Sequence, residues 1–540
     1  MTVCGMTRRS LLAATAGAVA GGLARPGGAL SAFAAPTALG DAAAPTLFER
    51  AVGTLPAGGA GASINLGRNA DLVGVRWSGP SAAHVELRFG DEHGRWSPWV
   101  SAGAHGHAPE GALWSGATGG DPVWTGGSSL VQLRSGRGLG NARLSCVDVS
   151  GGIGARKQAL AAGSAALAAA LALAMPMLPA GAGQPPIIAR RAWAQGMAKP
   201  RVAPGYGAVR MAFVHHTENP NGYSAGEVPA MLRAIFAFHR YVNGWNDIGY
   251  NFVIDSYGRV FEARAGGIDE SVVGAHAGGY NLVSTGIAVL GTFISAGISP
   301  AAQQTLERLL AWKLSLHGIP AEGSVTVRVN PAGAIYSRFP ANARVSLPRI
   351  AGHRDGDSTD CPGDALYGEL SAIRGNVQHL APRPARMKLA LATPPAPDEQ
   401  TVPPAGSGSS TGEARVLTGG LEFLDGGAGG AGAAPIADAA ILIQARSVSR
   451  RGEVVQERTI AEAVTNAEGK WSLPLYSPSS GVPQIGKGTW LRALCPGAAG
   501  VPAAISETLR VTRAFSFAPP VPAPGASSLP TPPAAPPPST

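Results

Sequence analysis

Apolar and polar positions alternate over two separate regions of the chain, and between them the pattern changes to a helical period. Residues 71–77 and 84–89 largely alternate, which is the period of a half-buried strand. The Asp91-Glu-His-Gly94 stretch is turn chemistry, and residues 130–134 and 142–149 continue the series. Residues 45–150 are therefore expected to form a β-sandwich-like module. A second alternating region, clearest at 439–446, 469–474 and 489–494, predicts an Ig-like β module over 416–515. The centre, 185–380, reads differently. A short apolar run at 211–214 is followed by Val228, Met231, Ile235, Phe238 and Val242, close to a 3.6-residue period. Ser224 and Glu227 form a capping-box pattern in front of that helix, Pro229 belongs in its first turn, and Gly244 stops it. Strands are expected at 249–254, 259–263, 285–293 and 349–352. Ser299 and Pro300 open a second helix running to Gly318, and a last helix spans 362–380. A loop-rich insertion is expected at about 320–347. Strands interleaved with helices predict an α/β domain with a mixed β-sheet flanked by helices.

The segments between these modules have their own compositions. Residues 151–184 are an alanine-rich linker. The uncharged run 159–183 is long enough to cross a bilayer, but alanine and glycine contribute little hydrophobicity and Pro176 and Pro179 interrupt it, so no membrane tether is expected. Residues 381–415 read as a Pro/Gly/Ser linker and 516–540 as a disordered Pro-rich tail. At the start, Thr7-Arg8-Arg9-Ser10-Leu11-Leu12, a mild apolar run and Ala32-Phe33-Ala34 resemble a twin-arginine-like signal peptide over 1–34. The expected destination is periplasmic, cell-wall-associated or extracellular.

The 540 residues exceed one ordinary core, in line with a multidomain chain, and 75 glycines and 45 prolines suit β-rich modules joined by linkers. The formal net charge of +9 fits solubility or attraction to an anionic envelope, and no Lys/Arg block points to nucleic acid. A monomer is expected. Of the four cysteines, Cys4 lies in the signal segment, and Cys146 and Cys495 fall in different modules, so a disulfide between them is not expected. Trp96 and Trp99 are candidates for either sugar stacking or sheet cover.

The candidate chemistry is concentrated in the centre. The stretch GHRDGDSTDCPG at 352–363 puts His353 eight positions before Cys361, and the run MAFVHHT at 211–217 ends on His215 and His216. Two histidines and a cysteine suit zinc with an open fourth position, the pattern of a catalytic rather than a structural site. Adjacent strand residues face opposite ways, so the residues alone leave His215 and His216 both open as the first ligand. Asp247 and Asp355 look like loop-fixing residues.

Taken together, VHHT, GWNDIGYNF, GAHAGGYN, TGIAVLG and GHRDGDSTDCPG resemble, in order, the motifs of zinc-dependent N-acetylmuramoyl-L-alanine amidases of the peptidoglycan recognition protein type. The resemblance covers about 185–380. It implies Zn2+ held by His215, His353 and Cys361, with His216 either packed behind or on the substrate side. It implies Tyr250 as the catalytic tyrosine and Thr359 as an oxyanion or substrate contact. His276, Asn281, Arg264, Trp245 and His239 are implied as substrate-side residues, His276 and Asn281 near the peptide stem. Some related amidases carry a glutamate where this chain has Ala288. The implied reaction is hydrolysis of the amide between N-acetylmuramic acid and L-alanine, and the implied partner is peptidoglycan. The alternatives are a recognition module that binds peptidoglycan without cutting it, or an envelope scaffold.

Overall fold

The computed structural model describes residues 44–58, 61–78, 84–91, 93–102, 118–151, 183–381, 383–392, 415–424, 434–448, 454–476, 484–497 and 501–517. The signal segment 1–34, nearly all of the linker 151–184 and all but two residues of the tail 516–540 lie outside the described residues.

The central domain is built on a six-stranded sheet. Its strands are β1 (Ile187–Ile188), β2 (Met211–His216), β3 (Phe252–Ile254), β4 (Val260–Glu262), β5 (Ser284–Val289) and β6 (Ile350–Gly352). Their order is β6-β2-β5-β3-β4-β1, and every neighbouring pair is parallel except the β3–β4 hairpin. The mixed sheet expected from the sequence is thus present. Parallel strands buried on both faces need apolar side chains on both, and β2 and β5 are buried at every position.

Flanking it are α1 (Arg190–Ala194), α2 (Val228–Ala237), α3 (Pro300–Leu316) and α4 (Asp364–Leu380), and a single helical turn, His353–Gly356, follows β6. On one face, Val214, Ile254, Ile287 and Val289 pack against Leu306, Leu310, Leu366 and Ile373 of α3 and α4. On the other, Val253, Phe261 and Ala288 pack against Ile235 and Phe236 of α2. Ser299 caps α3 as its spacing predicts, accepting a hydrogen bond from Ala302 N–H, with Pro300 at the first position. Glu227 accepts from both the Ser224 N–H and hydroxyl, and Pro229 sits in the first turn of α2. The C-terminal end of α2 widens into a π-turn, Phe238–Val242, before Gly244 at φ +74 ends it.

Two expectations are corrected. The loop-rich insertion at 320–347 contains an antiparallel hairpin, Ser324–Arg328 with Arg344–Pro348, whose alternate residues Val325, Val327, Val345 and Leu347 are buried against Met211, Phe213 and Tyr280. Five-residue strands fell below the length at which alternation separates from loop. The linker at 381–415 is also interrupted: Ala385–Ala392 is a strand paired along its whole length with Arg415–Phe423. The C-terminal domain therefore begins near 385, not 416. It consists of two antiparallel sheets around one core, with Met387, Leu417 and Trp471 from one and Ile441, Ile443, Leu491 and Ala493 from the other.

In the N-terminal domain all seven described strands join one hydrogen-bonded sheet, with register slips in the fifteen-residue strand Ile64–Ser78. Trp96 and Trp99 are half-buried with the Arg88 guanidinium over both rings, and Arg134 lies over Trp99. Cys146, Cys361 and Cys495 are free thiols, so the expected absence of a Cys146–Cys495 disulfide is observed.

Both outer domains are packed onto the central one. Leu72, Trp124, Val147 and Val149 of the N-terminal domain share a buried cluster with Ile235, Phe238 and Tyr250. Gly74 lets the sheet meet the helix there, since a Cβ on it would come within 2.3 Å of the Phe238 ring. Arg76 donates to Val242 O at 2.6 Å across the same junction. On the opposite side, fully buried Arg492 of the C-terminal domain pairs with Glu270 at 2.7 Å and with Asp269, and Arg446 pairs with Glu270.

Candidate metal centre

The register of the sheet brings the two candidate histidines together. Strands β6 and β2 are parallel neighbours with Gly352 opposite Val214. The residues that follow, His353 and His215, therefore emerge side by side at the carboxyl ends of adjacent strands. Their ring centroids are 4.5 Å apart. Cys361 returns on the loop before α4, and its Sγ lies 3.8 Å from His215 Nδ1. One ligand atom each from His215, His353 and Cys361 falls within 4.8 Å of the others, and all three residues are buried. The Cys361–Pro362 peptide is cis.

Strand alternation turns the two adjacent histidines to opposite faces of the sheet. His215 lies on the face shared with Ala288, its register partner on β5. His216 points to the α3/α4 side, where Nδ1 accepts from Phe293 N–H at 3.4 Å and Nε2 lies 3.4 Å from Glu218 Oε1. Its backbone N–H donates to Cys361 Sγ at 3.4 Å, so His216 supports the cluster through its main chain.

The second nitrogen of each clustered ring is held. His215 Nε2 is 3.1 Å from His276 Nδ1, and His353 Nε2 is 3.0 Å from Asp357 Oδ2. Nδ1 of each ring is thereby the nitrogen available for the centre. Two imidazoles oriented through their outer nitrogens and one thiol are a donor set suited to zinc, and the residues fit that ion. Asp357 also accepts from Gly278 N–H at 2.5 Å, tying the Gly274–Asn281 loop to the site. Sequence reasoning missed Asp357. The available signal was its position four after His353, one helical turn away.

The remaining candidates divide into holders and walls. His276 is fully buried, and a Cβ on Gly286 of β5 would come within 2.4 Å of its ring. It is packed behind His215 rather than lining an open groove. Asn281 Oδ1 accepts from the His276 and Ala277 N–H groups at 2.8 and 3.1 Å, so it shapes that loop. Trp245 and His239 stack at 4.4 Å, with His239 Nδ1 accepting from Gly249 N–H, and both are buried. Arg264 is buried and donates to Ile248 O at 3.0 Å. These residues form the wall behind Tyr250; the motif fixed their proximity, but their burial depends on the long-range packing. Thr359 Oγ1 accepts from Cys361 N–H at 3.0 Å, which fixes the loop that carries Cys361. Asp247 and Asp355 are loop-fixing as expected: Asp247 accepts from Arg190, Ile248 N–H and Ala265 N–H, and Asp355 from Gly352 N–H and the Tyr367 hydroxyl.

Tyr250 stands beside the cluster, its ring 5.3 Å from that of His215. Burial pushes its phenol well above the usual tyrosine range, and the charges of Asp121, Cys361 and Glu218 add to the shift. It is therefore a neutral hydrogen-bond donor across the physiological range. Burial likewise pushes the Cys361 thiol up, against the His216 N–H that favours thiolate.

Comparison with known proteins agrees with this geometry. Residues 205–364 match the family model for N-acetylmuramoyl-L-alanine amidase, and 42–157 match one described as Rv3811 N-terminal galactose-binding domain-like. The chain is 32% identical to the human N-acetylmuramoyl-L-alanine amidase over 176 residues, 32% of this chain but only 26% of that protein. It is 30% identical to peptidoglycan-recognition protein SC2 of Drosophila simulans over 159 residues, 29% of this chain and 71% of that one. Among solved structures, Drosophila PGRP-LB aligns at 27% identity with a TM-score of 0.27, covering 35% of this chain and 93% of that chain. Through its central domain the chain belongs to the family of N-acetylmuramoyl-L-alanine amidases and peptidoglycan-recognition proteins.

Proposed function

We propose that this protein is a zinc-dependent amidase that hydrolyses the amide between N-acetylmuramic acid and L-alanine in peptidoglycan. The observation that carries the reading is the buried His215, His353 and Cys361 cluster, with the Tyr250 phenol alongside. A module that only held peptidoglycan would have no need of this donor set together with a buried, protonated phenol. Bound by these residues, zinc would supply a Lewis acid that polarises the amide carbonyl and activates water.

The chain's own residues do the rest. His276 and Asp357 hold the two imidazoles in one tautomer and orientation. Thr359 and the His216 N–H fix the thiol. Tyr250, kept neutral by burial, donates a hydrogen bond to oxygen charge that develops on the carbonyl, where a desolvated donor is most effective. Hydrolysis of wall peptidoglycan implies work outside the cytoplasmic membrane, in keeping with the export signal read at 1–34. Among the described residues no helix is long and apolar enough to cross a membrane.

The test is release of stem peptides from purified peptidoglycan by the full chain, with and without a chelator, beside Cys361→Ala. Free peptides with an L-alanine amino terminus, lost on chelation and in the variant, are the expected result. Tight wall binding by zinc-loaded protein without release would favour the recognition reading suggested by the peptidoglycan-recognition relatives.

A further inference from the structure

The hairpin Ser324–Arg328 with Arg344–Pro348 is a sheet of its own, yet its tip meets the groups that hold the metal centre. His353 stands on a single helical turn, His353–Gly356. One turn is the costly nucleus of a helix, and its last carbonyls have no partner within it. At the front, Gly352 N–H donates to Asp355 Oδ2 at 2.9 Å. At the rear the partners come from the hairpin tip. Arg338 N–H and the Ser337 hydroxyl donate to Gly356 O at 2.9 and 3.2 Å, and Arg338 Nη1 donates to Arg354 O at 2.9 Å. Ser358 N–H donates back to Tyr336 O at 3.0 Å, which sets Ser337 opposite Asp357 in an antiparallel bridge. Backbone bonds thus flank Asp357 on both sides, and its carboxylate meets His353 Nε2 and Gly278 N–H.

The same tip packs on the Gly274–Asn281 loop. Asn330 N–H donates to Gly279 O at 2.9 Å, and the Tyr280 hydroxyl lies 2.9 Å from Ser337 Oγ. A Cβ on Gly278 would come within 2.6 Å of Gly333 O and 2.9 Å of Tyr336 Cβ, so the two loops meet with no room for a side chain. That loop carries His276, whose Nδ1 is 3.1 Å from His215 Nε2. The turn itself reaches the third donor, since Arg354 N–H donates to Cys361 O at 2.9 Å. The supports of His215, His353 and Cys361 are therefore all joined to one hairpin tip.

Resting on the zinc-dependent reading above, we propose that the hairpin tip is a brace that pre-organises the centre, and that Ser337 and Arg338 are positioning residues for His353 and Asp357. Neither is one of the donors. Arg338 is exposed and Ser337 half-buried, and neither belongs to the apolar cluster under the hairpin, so their bonds to the turn hold no core together. Their effect falls on the spacing of the donors, which is set before an ion arrives, so that binding spends little on ordering the turn.

The experiment compares full-length wild type, Ser337→Ala, Arg338→Ala, Arg338→Lys and the double alanine variant. It reads zinc affinity by chelator competition, the visible spectrum of the Co2+-loaded protein, and thermal unfolding of the metal-free protein. Each alanine should weaken zinc binding about threefold to tenfold, and the double variant more, with the metal-free unfolding temperature little changed. The Co2+ bands of the double variant should shift, because they report the geometry of the donors. Arg338→Lys keeps a cationic donor for Arg354 O and should recover part of the affinity. Zinc binding by the double variant within about twofold of wild type, with unchanged Co2+ bands, would overturn the proposal, and so would a loss that Arg338→Lys leaves whole. A lowered unfolding temperature with unchanged affinity overturns it too, since the tip would then support the fold and not the centre. A wild type that binds zinc but releases no stem peptides sinks the amidase reading and leaves the affinity series to judge the brace. If wild type binds no zinc, hydrogen exchange at Gly278 N–H is the judge: faster exchange in the double variant supports the brace, and unchanged exchange overturns it.

Discussion

The hydrogen bond from His353 to Asp357 offers the sharpest test of the metal centre. Both groups are almost wholly buried, His353 at 1% and Asp357 at 2% exposure. The carboxylate accepts from Gly278 N–H at 2.5 Å and sits 3.0 Å from His353 Nε2. Asp357→Ala removes the partner of both at once, in a place water cannot easily repair. A hydrogen bond to a charged group contributes about 1.5–3 kcal/mol. At about 1.4 kcal/mol per tenfold, losing the one to His353 corresponds to roughly 10- to 100-fold weaker zinc binding. Asp357→Asn keeps an oxygen for Gly278 N–H but loses the charge, so its affinity should fall between those of Ala and wild type. Competition for zinc with a chromophoric chelator reads this directly, with thermal unfolding of the metal-free protein as control. Asp357→Ala binding zinc within about twofold of wild type, at an unchanged unfolding temperature, would refute the assignment of His353 Nδ1 as a ligand atom oriented by this pair.

Three further outcomes follow from the same structure. Tyr250→Phe should lower kcat for stem-peptide release by about 100-fold while leaving zinc affinity unchanged, since only the donor to the oxyanion is lost; chelator competition and release kinetics on one preparation separate the two. Gly74→Ala drives a methyl into the Phe238 ring and should cost about 1–3 kcal/mol, read by chemical denaturation, with wild-type stability as the refuting result. Lys313 is buried under the Asp269–Glu270 turn, and desolvation lowers its ammonium to about 7. The unfolded chain holds that proton up to about pH 10.4, so the unfolded state binds more protons across this window. The Lys313 contribution to stability is therefore complete above pH 10 and lost as pH falls through 7. Lys313→Met should flatten the rise in stability between pH 7 and pH 10 in denaturant titrations, and an unchanged slope would refute it.

Local pattern carried most of the central domain. The start of α3 was legible because Ser299 and Pro300 act within one turn of themselves, and the helical period of α2 survives in any context. The centre was legible as a set of residues because a metal needs particular donors. What the residues alone left open between His215 and His216 is a question of strand face, and the pairing of β2 with β5 and β6 puts His215, not His216, in the cluster with His353 and Cys361. The hairpin at 324–348 and the strand Ala385–Ala392 were lost for a related reason. Each is short or carries small residues, and each is stabilised by a partner distant in sequence. His276, Trp245, His239 and Arg264 illustrate a further limit. Polar and aromatic residues in a motif suggest contact with substrate, yet here they are buried packing around the His215 cluster and Tyr250.

The junction between domains was the least legible feature, and it bears most on function. An alternating strand records that one face is buried but not what buries it. Leu72 and Val147 read as ordinary core positions of a β module, whereas they are buried against the helix that supports Tyr250. Gly74 reads as a weak strand residue until the Phe238 ring is found against it. Trp124 N–H donates to Asn219 Oδ1 in a buried hydrogen bond at the same junction. Buried apolar contact and a buried hydrogen bond at the same junction make a fixed interface, which holds the helix beside Tyr250 in place. A freely tethered domain could not. The consequence is specific: cutting the chain between the N-terminal and central domains would remove the packing around Tyr250 and expose the apolar face around Phe238, so, on the proposed amidase function, the isolated centre should retain its zinc donors but release stem peptides more slowly than the full chain.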